Sequence, residues 1–174
     1  KIDYPKKKML VTQKKVGEAT KQIETLSKST WTYLCDHGEK LDSRKSSIYR
    51  NSPRFSIFGV GEYTFKPWKV VISGLYKNTR FSKIGCHEGK PIVVDDTCYM
   101  LGFDSEKEAD FVLSLLLSDV CQDFISSIVF LDNKRPITVA LLSRINLRKI
   151  AELLGVEKKY EGLFIENEQQ MSLL

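Results

Sequence analysis

The sequence lacks the features that would assign it to a membrane or secreted protein. It has no apolar run near the roughly 18 residues that a spanning helix needs, because its most apolar segment, residues 111–117, lies between Asp110 and Asp119. This excludes a membrane protein. The chain begins with Lys1, and the lysines at positions 6–8 precede no apolar signal core. We therefore expect a piece of a longer protein.

Cysteine and histidine are scarce. The four cysteines have irregular spacings, unlike the dense framework of a secreted disulfide-stabilised domain, so we expect a cytoplasmic protein. The two histidines support no Ser-His-Asp or Cys-His nucleophile. The Gly59-Val60-Gly61 turn does not open directly into a helix, as a cofactor-binding loop would. We predict that this chain binds no cofactor and no metal.

Charge is distributed unevenly along the chain. Residues 1–90 hold 19 Lys and Arg against 8 Asp and Glu, a net charge of +11. Residues 91–174 hold 8 against 14, a net charge of −6. A concentration of cations in one half is typical of a phosphate-binding surface, although ordinary solvated surface has the same composition.

Hydrophobic periodicity predicts two long helices. Apolar residues recur at steps of three and four over residues 18–35 and again over 105–124. Ser105 and Glu108 have the spacing of a capping box at the start of the second helix. Two shorter helices are predicted to follow, with N-caps at Thr138 and Asn146.

Strands are predicted mainly within residues 54–101, where β-branched and aromatic residues are bounded by Gly and Pro. The individual predictions are a strand around Phe55 and others at 69–72, 81–84, 92–94, 97–101 and 127–131. The expected fold class is α+β, with a mixed β-sheet packed against the long amphipathic helix and flanked by the N-terminal helix. We expect residues 1–17 to be a linker from an absent upstream domain, 18–155 to form the domain, and 156–174 to be a C-terminal tail.

Basic and aromatic residues alternate between positions 44 and 80, and this pattern is suited to nucleic acid. Cations and hydroxyl groups can hold phosphates, while aromatic rings can stack on bases. For phosphate contacts we select first Arg44, Lys45 and Arg50, with Ser46, Ser47 and Tyr49 of the same loop, and second Lys66, Lys69, Lys77 and Arg80. For reading base edges we select Arg54, Tyr63, Tyr76 and Asn78.

Four stretches of the chain form a distinctive pattern: R-K-S-S-I-Y at 44–49, the ungapped run from Arg54 to Lys77, G-K-P-I-V-V-D-D-T-C-Y at 89–99, and K-R-P-I-T at 134–138. Together they resemble the C-terminal region of bacterial N6-adenine-specific DNA methyltransferases of restriction-modification systems. The resemblance covers about residues 30–150. It implies that residues 18–155 are a target recognition domain, which grips double-stranded DNA and selects the sequence that a neighbouring domain methylates.

The catalytic signature of that family is missing. Methylation of the adenine amino group needs a (D/N)-P-P-(F/Y/W) tetrapeptide, and this chain has no Pro-Pro pair. We therefore expect a fragment without methyltransferase activity, whose partners are double-stranded DNA and an upstream methyltransferase domain. S-adenosylmethionine is expected in that upstream domain.

Two other functions fit parts of the sequence. A metal-dependent nuclease would use Asp96 and Asp132 at strand ends with Lys134, because carboxylates hold Mg²⁺ and a lysine can stabilise the attacking water. Acidic residues after strands are also common turn formers. A protein-interaction scaffold would show no salt-sensitive DNA affinity.

Overall fold

The computed structural model describes Pro5 and residues 7–171, with side chains up to Phe164. The chain divides into two compact units, with the boundary between Phe65 and Lys66, inside the expected domain of 18–155. We call them the N-terminal unit and the C-terminal unit. Positions 1–4 and 6 of the predicted linker and 172–174 of the predicted tail lie outside the described residues.

The N-terminal unit contains three short helices, α1 (Ile23–Leu26), α2 (Lys28–Asp36) and α3 (Gly38–Asp42). The single helix predicted over 18–35 is therefore wrong. Ser27 divides it, with an extended backbone (φ −154°) and a hydroxyl paired with that of Thr30 at 2.8 Å. The Ser27 hydroxyl makes no capping hydrogen bond to the backbone of α2.

The strand predicted around Phe55 does not form. Phe55 has a φ of +65°, which is uncommon for an aromatic residue, and its ring is buried beside Ile23 and Leu34. The Thr12 hydroxyl donates to the Phe55 carbonyl at 2.7 Å, and the Ile57 amide donates to the Gln13 side chain at 3.0 Å. Side chains from the predicted linker therefore satisfy this backbone, in place of a neighbouring strand.

The C-terminal unit contains one sheet of three strands, β1 (Trp68–Ser73), β2 (Ser82–Ile84) and β3 (Cys98–Phe103). Their order is β2-β1-β3, and both pairs are antiparallel, with Val70 opposite Lys83 in β2 and Leu101 in β3. The expected mixed sheet is wrong, since no described pair is parallel. The short loop between β1 and β2 suits an antiparallel pair, because a parallel one needs a long crossover.

Five helices follow the expected α+β pattern: α4 (Glu106–Leu116), α5 (Asp119–Ile128), α6 (Val139–Leu142), α7 (Leu147–Leu153) and α8 (Glu157–Met171). The α+β class is thus confirmed. The Ser105–Glu108 capping box is present in full, and Thr138 and Asn146 cap α6 and α7 as predicted.

The long helix predicted over 105–124 is two helices, because Ser118 starts a new one. Its hydroxyl accepts from the Cys121 amide at 3.3 Å, and the helices α4 and α5 are bent by 59°. The α5 helix then continues to Ile128, so the strand predicted at 127–131 does not form. The strand predicted at 92–94 is also absent from the described structure.

The core of the C-terminal unit lies between one face of the sheet and the helices. Val70 and Ile72 of β1 pack with α4, and the most deeply buried side chains include Ile125 and Ile137, both 0% exposed. Cys121 is also 0% exposed, and burial raises the pKa of its thiol to about 11.

The predicted C-terminal tail is largely helical. The α8 helix places Tyr160 and Phe164 against the core, and the Phe164 ring lies 6.5 Å from that of Phe111. Val156, Tyr160 and Leu163 have helical spacing, and this periodicity is the signal in the sequence that indicates a helix in place of a tail. Among the described helices, none is by itself long and apolar enough to span a membrane.

Candidate nucleic-acid interface

The loop after α3 carries six of the selected residues. Ser46 begins a short 3₁₀ helix over Ser47–Tyr49, and its hydroxyl accepts from the Ile48 amide at 3.4 Å. Lys45, Ser46, Ser47 and Arg50 are exposed, whereas Arg44 and Tyr49 are half-buried. The loop therefore presents hydroxyl groups and two cations to solvent.

Arg44 is held by the protein itself. Its guanidinium donates to the carbonyls of Leu41 and Ser56, each at 2.7 Å, and lies 3.7 Å from the centre of the Tyr49 ring. Lys45 and Arg50 make no ion pair with any residue that the structure describes. Their charges are thus available to a phosphate, while Arg44 shapes the loop.

Arg54 is paired with an acid. Its guanidinium donates to both oxygens of Asp42, at 2.7–3.2 Å, and these hydrogen bonds hold the pKa of the Asp42 carboxyl below its ordinary value. The pair ties α3 to the segment after Pro53. To read a base edge, Arg54 would have to leave its carboxylate.

Tyr63 lies at the end of the N-terminal unit and is about half exposed (48%). Its hydroxyl donates to the Gly59 carbonyl at 2.8 Å, across a turn in which Gly59 has a φ of +62°. The ring is therefore held in place with part of its face open to solvent.

The first two selected lysines of the C-terminal unit are engaged within it. The Lys66 amine lies 2.5 Å from the Asp104 carboxylate. Lys69 is only 1% exposed; its amine donates to the Lys66 carbonyl at 2.6 Å, and burial lowers its pKa. A buried ammonium cannot reach a phosphate, so the prediction that Lys69 contacts DNA is wrong for this structure.

The loop joining β1 to β2 carries the remaining selected residues, and all of them are exposed. They are Tyr76, Lys77, Asn78 and Arg80. Tyr76 is 73% exposed, and the Asn78 side chain accepts from the Arg80 amide at 2.8 Å. The Thr79 hydroxyl donates to Gln122 of α5 at 3.2 Å, which anchors the loop. This loop combines an aromatic ring, an amide and two cations without an ion pair in the described structure.

The selected residues thus fall into two groups. Positions 44–63 belong to the N-terminal unit and positions 66–80 to the C-terminal unit. In the N-terminal unit, four exposed members lie on the loop of Lys45 and Arg50, while Arg54 and Tyr63 are exposed elsewhere; in the C-terminal unit, the exposed members share the loop of Lys77 and Arg80.

A pocket in the C-terminal unit includes residues that sequence reasoning did not select for DNA contact. Phe130, Asn133, Arg135 and Arg144 line it, between the end of α5 and the short α6. The available signal was the K-R-P-I-T motif at 134–138. From the sequence, that motif is part of the family resemblance and has no predicted role of its own.

The premise of the nuclease alternative is not met in the described residues. Asp96 and Asp132 are exposed, and neither follows a strand, because the strands predicted at 92–94 and 127–131 do not form. No group of three or more His, Cys, Asp or Glu side chains in the described part of the chain is arranged to hold a metal ion. The neighbouring Asp95 carboxylate instead accepts from the Thr97 hydroxyl at 2.5 Å and the Thr97 amide at 2.9 Å.

Comparison with known proteins finds a similarity over most of the chain. The chain is 48% identical over 154 residues to the Type II methyltransferase M.NspV of Nostoc sp.. The aligned region is 88% of this chain but 32% of that relative, so the chain spans about a third of the length of the protein it matches. No protein-family model matches the chain, and no solved structure matches it.

Proposed function

We propose that this chain is the DNA target recognition part of an adenine-N6 DNA methyltransferase from a restriction-modification system. The observation that carries the proposal is the 48% identity to about a third of a Type II methyltransferase. The catalytic part, with its S-adenosylmethionine site, would lie in the part of such an enzyme that the chain does not cover. We propose a cytoplasmic, bacterial enzyme as the parent protein.

The missing Pro-Pro pair supports a division of labour between the two parts. An enzyme that modifies a base inside a duplex has to extrude that base, and a separate lobe can hold the duplex and read its edges. This chain lacks the tetrapeptide that would hold the extruded adenine. It is therefore suited to binding and selection, and the covalent step would belong to the other part.

The two exposed loops supply the chemistry for this role. Lys45 and Arg50 can contact phosphates, with Ser46 and Ser47 as additional donors. In the other unit, Lys77 and Arg80 can contact phosphates beside Tyr76 and Asn78, whose ring and amide can contact bases. Arg54 and Lys66 each face a carboxylate and are weaker candidates.

The test is a fluorescence-anisotropy titration of the 174-residue chain with a labelled DNA duplex of mixed sequence, between about 50 and 200 mM salt. We expect weak binding that falls steeply with salt, because released counterions supply most of the affinity. Binding that is independent of salt, or absent at low salt, would contradict the proposal.

A plasmid assay separates this function from the nuclease alternative. We expect no nicking when the chain is incubated with plasmid and Mg²⁺. Nicks that Asp96→Ala or Asp132→Ala removes would show that the chain cuts DNA and that the proposed function is wrong.

A further inference from the structure

The pocket lined by Phe130, Asn133, Arg135 and Arg144 lies outside the loops assigned above. Its volume is about 240 Å³, and its apolar wall includes Ile128 and Leu141. That is below the roughly 300–1,000 Å³ of typical small-molecule sites. The pocket is therefore suited to part of a ligand, such as one nucleotide of a longer chain.

One side of the pocket is firmly anchored. Pro136 is buried and Ile137 is 0% exposed, so the segment between the two arginines is attached to the core. The Thr138 hydroxyl accepts from the Leu141 amide at 3.2 Å and begins α6. Arg135 and Arg144 thus extend from a backbone that is already fixed, which lowers the entropic cost of holding a ligand.

The cations of this pocket differ from others in the acidic half of the chain. Arg148 is paired with Glu157 and Glu161, and Lys149 is paired with Glu152. Arg135 and Arg144, with Lys134 beside them, make no ion pair within the described structure. Asp132 of the same loop is exposed and forms none of these pairs either. Positive charge therefore remains unneutralised at this point of a segment whose net charge is −6.

Phe130 adds an aromatic surface beside these cations. Its side chain is 74% exposed, an unusual placement for phenylalanine, which is among the residues most often buried. Aromatic rings next to arginines are the combination with which proteins hold nucleic acid, because each base has a flat face to stack on and each phosphate attracts a guanidinium. Asn133, also exposed, adds an amide donor and acceptor.

We propose that this pocket is a third DNA contact, in which Arg135 and Arg144 hold a backbone phosphate and Phe130 packs against the adjoining nucleotide. The proposal rests on the proposed function, since it extends the DNA surface of the same chain. It assigns a role to the K-R-P-I-T motif, in which Arg135 supplies the charge and Pro136 and Ile137 supply the anchor.

The test compares three variants of the full chain in the anisotropy assay. Arg135→Ala/Arg144→Ala should lower the slope of log affinity against log salt by about 1.8, which is 0.9 for each lost phosphate contact. Phe130→Ala should weaken binding by about 5- to 150-fold and leave the slope unchanged, because it removes stacking rather than charge. Lys107→Ala/Lys158→Ala is the matched control, since it removes two exposed cations of the same half from outside the pocket.

The outcomes distinguish the proposed pocket contact from the proposed DNA-binding function of the chain. If the double arginine variant keeps the wild-type slope while Lys45→Ala/Arg50→Ala lowers it, the pocket is not a DNA contact but the proposed function stands. An equal loss in the control pair would attribute the effect to net charge and overturn the inference. If the wild-type chain binds no DNA, both proposals fail.

A charge-preserving variant covers the case in which the double alanine variant does not fold. Arg135→Lys/Arg144→Lys keeps both positive charges but removes the planar fork that binds phosphate with two hydrogen bonds. We expect weaker binding with the wild-type salt slope. Unchanged affinity in this variant would overturn the assignment of the two guanidinium groups to a phosphate.

Discussion

The basic side chains between positions 44 and 50 differ in whether they form hydrogen bonds within the protein. Arg44 donates to two backbone carbonyls and lies over Tyr49, whereas Lys45 and Arg50, on the same loop, are exposed. Hydrogen bonds to a charged donor contribute to stability when they are partly shielded from water. Neighbouring cations on one loop are thus expected to have separate roles, one in folding and two in binding.

Alanine substitutions should separate these roles. Lys45→Ala and Arg50→Ala are each expected to lower the salt slope of DNA binding by about 0.9 and to change stability by no more than about 0.5 kcal/mol. Arg44→Ala is expected to lower the free energy of unfolding by about 1–2 kcal/mol, because the buried Ser56 loses the donor to its carbonyl and the Leu41 carbonyl keeps only its backbone donors. Anisotropy and thermal melting measure the two effects, and equal destabilisation by all three variants would refute the separation.

Lys69 gives a prediction that depends on pH. Burial lowers its pKa below the ordinary 10.5, so the folded protein bears the cost of a buried charge at neutral pH. As pH rises through the lowered pKa toward 10.5, the folded state loses this proton before the unfolded state does, and the wild type becomes more stable. Replacing this lysine by methionine removes the charge and keeps the length of the side chain.

We therefore expect Lys69→Met to be neutral or stabilising by up to about 1 kcal/mol at pH 7, with the gain shrinking as pH rises. Urea unfolding at several pH values measures this difference. Lys66→Met, at a partly exposed lysine in the same segment, is the control. A loss above about 1 kcal/mol in Lys69→Met at pH 7 would show that the bond to the Lys66 carbonyl outweighs the cost of burial.

Composition predicts where cations are concentrated but not which of them are free. From the sequence, Arg44 was predicted to contact phosphate with Lys45 and Arg50, Lys69 was a second choice for phosphate, and Arg54 was a candidate for reading base edges. Only the fold brings Asp42 against Arg54, and only the fold buries Lys69. Such pairings depend on residues distant in the sequence, so the candidate site could be predicted as a region and not residue by residue.

At the scale of the helices and strands, local signals were the most reliable. The capping residues Ser105, Thr138 and Asn146 each start a helix as predicted. A cap is a local feature, because it needs only a side-chain oxygen that accepts a hydrogen bond from a backbone amide two or three residues later. The same chemistry explains the break in the second predicted helix, where Ser118 caps α5, whereas Ser27 precedes α2 without a side-chain capping hydrogen bond. Ser27 and Ser118 lie inside apolar periodicity and were not recognised as points where one helix ends and another begins.

Segments whose backbone hydrogen-bond partners are distant in the sequence could not be predicted. Residues 54–57 have the composition of a strand, but Thr12 and Gln13 take the hydrogen bonds that a neighbouring strand would make. Residues 127–128 are likewise β-branched or small, yet they continue α5, whose other apolar residues fill the core. Tertiary packing overrides weak propensity in both segments.

The capping box of α4 provides a prediction at this scale. Ser105→Ala should lower the free energy of unfolding by about 1 kcal/mol, because the Glu108 amide loses its acceptor at the start of the helix that carries much of the core. Urea denaturation measures the change. Ser114→Ala, in the same helix and exposed, is the matched control and should stay within about 0.5 kcal/mol of the wild type. Equal losses in the two variants would contradict a capping role.

For the whole chain, the absence of a Pro-Pro pair makes a prediction about chemistry. We expect the 174-residue chain neither to bind S-adenosylmethionine nor to transfer its methyl group to DNA. Isothermal titration calorimetry with S-adenosylmethionine measures the first property, and a complete adenine DNA methyltransferase serves as the positive control. Micromolar binding by the chain alone would place a cofactor site within these residues and contradict the expected division of the enzyme.

The burial of Cys121 has a practical consequence for studying this molecule. A thiol with a pKa of about 11 is almost entirely protonated at neutral pH, and this side chain is also shielded from solvent. Cys35 and Cys86, in contrast, are exposed. An alkylating reagent should therefore modify those two sulfurs promptly and Cys121 only when the core opens. The rate at which Cys121 is modified therefore reports how often the structure around α5 opens, and mass spectrometry can measure this rate without an engineered label.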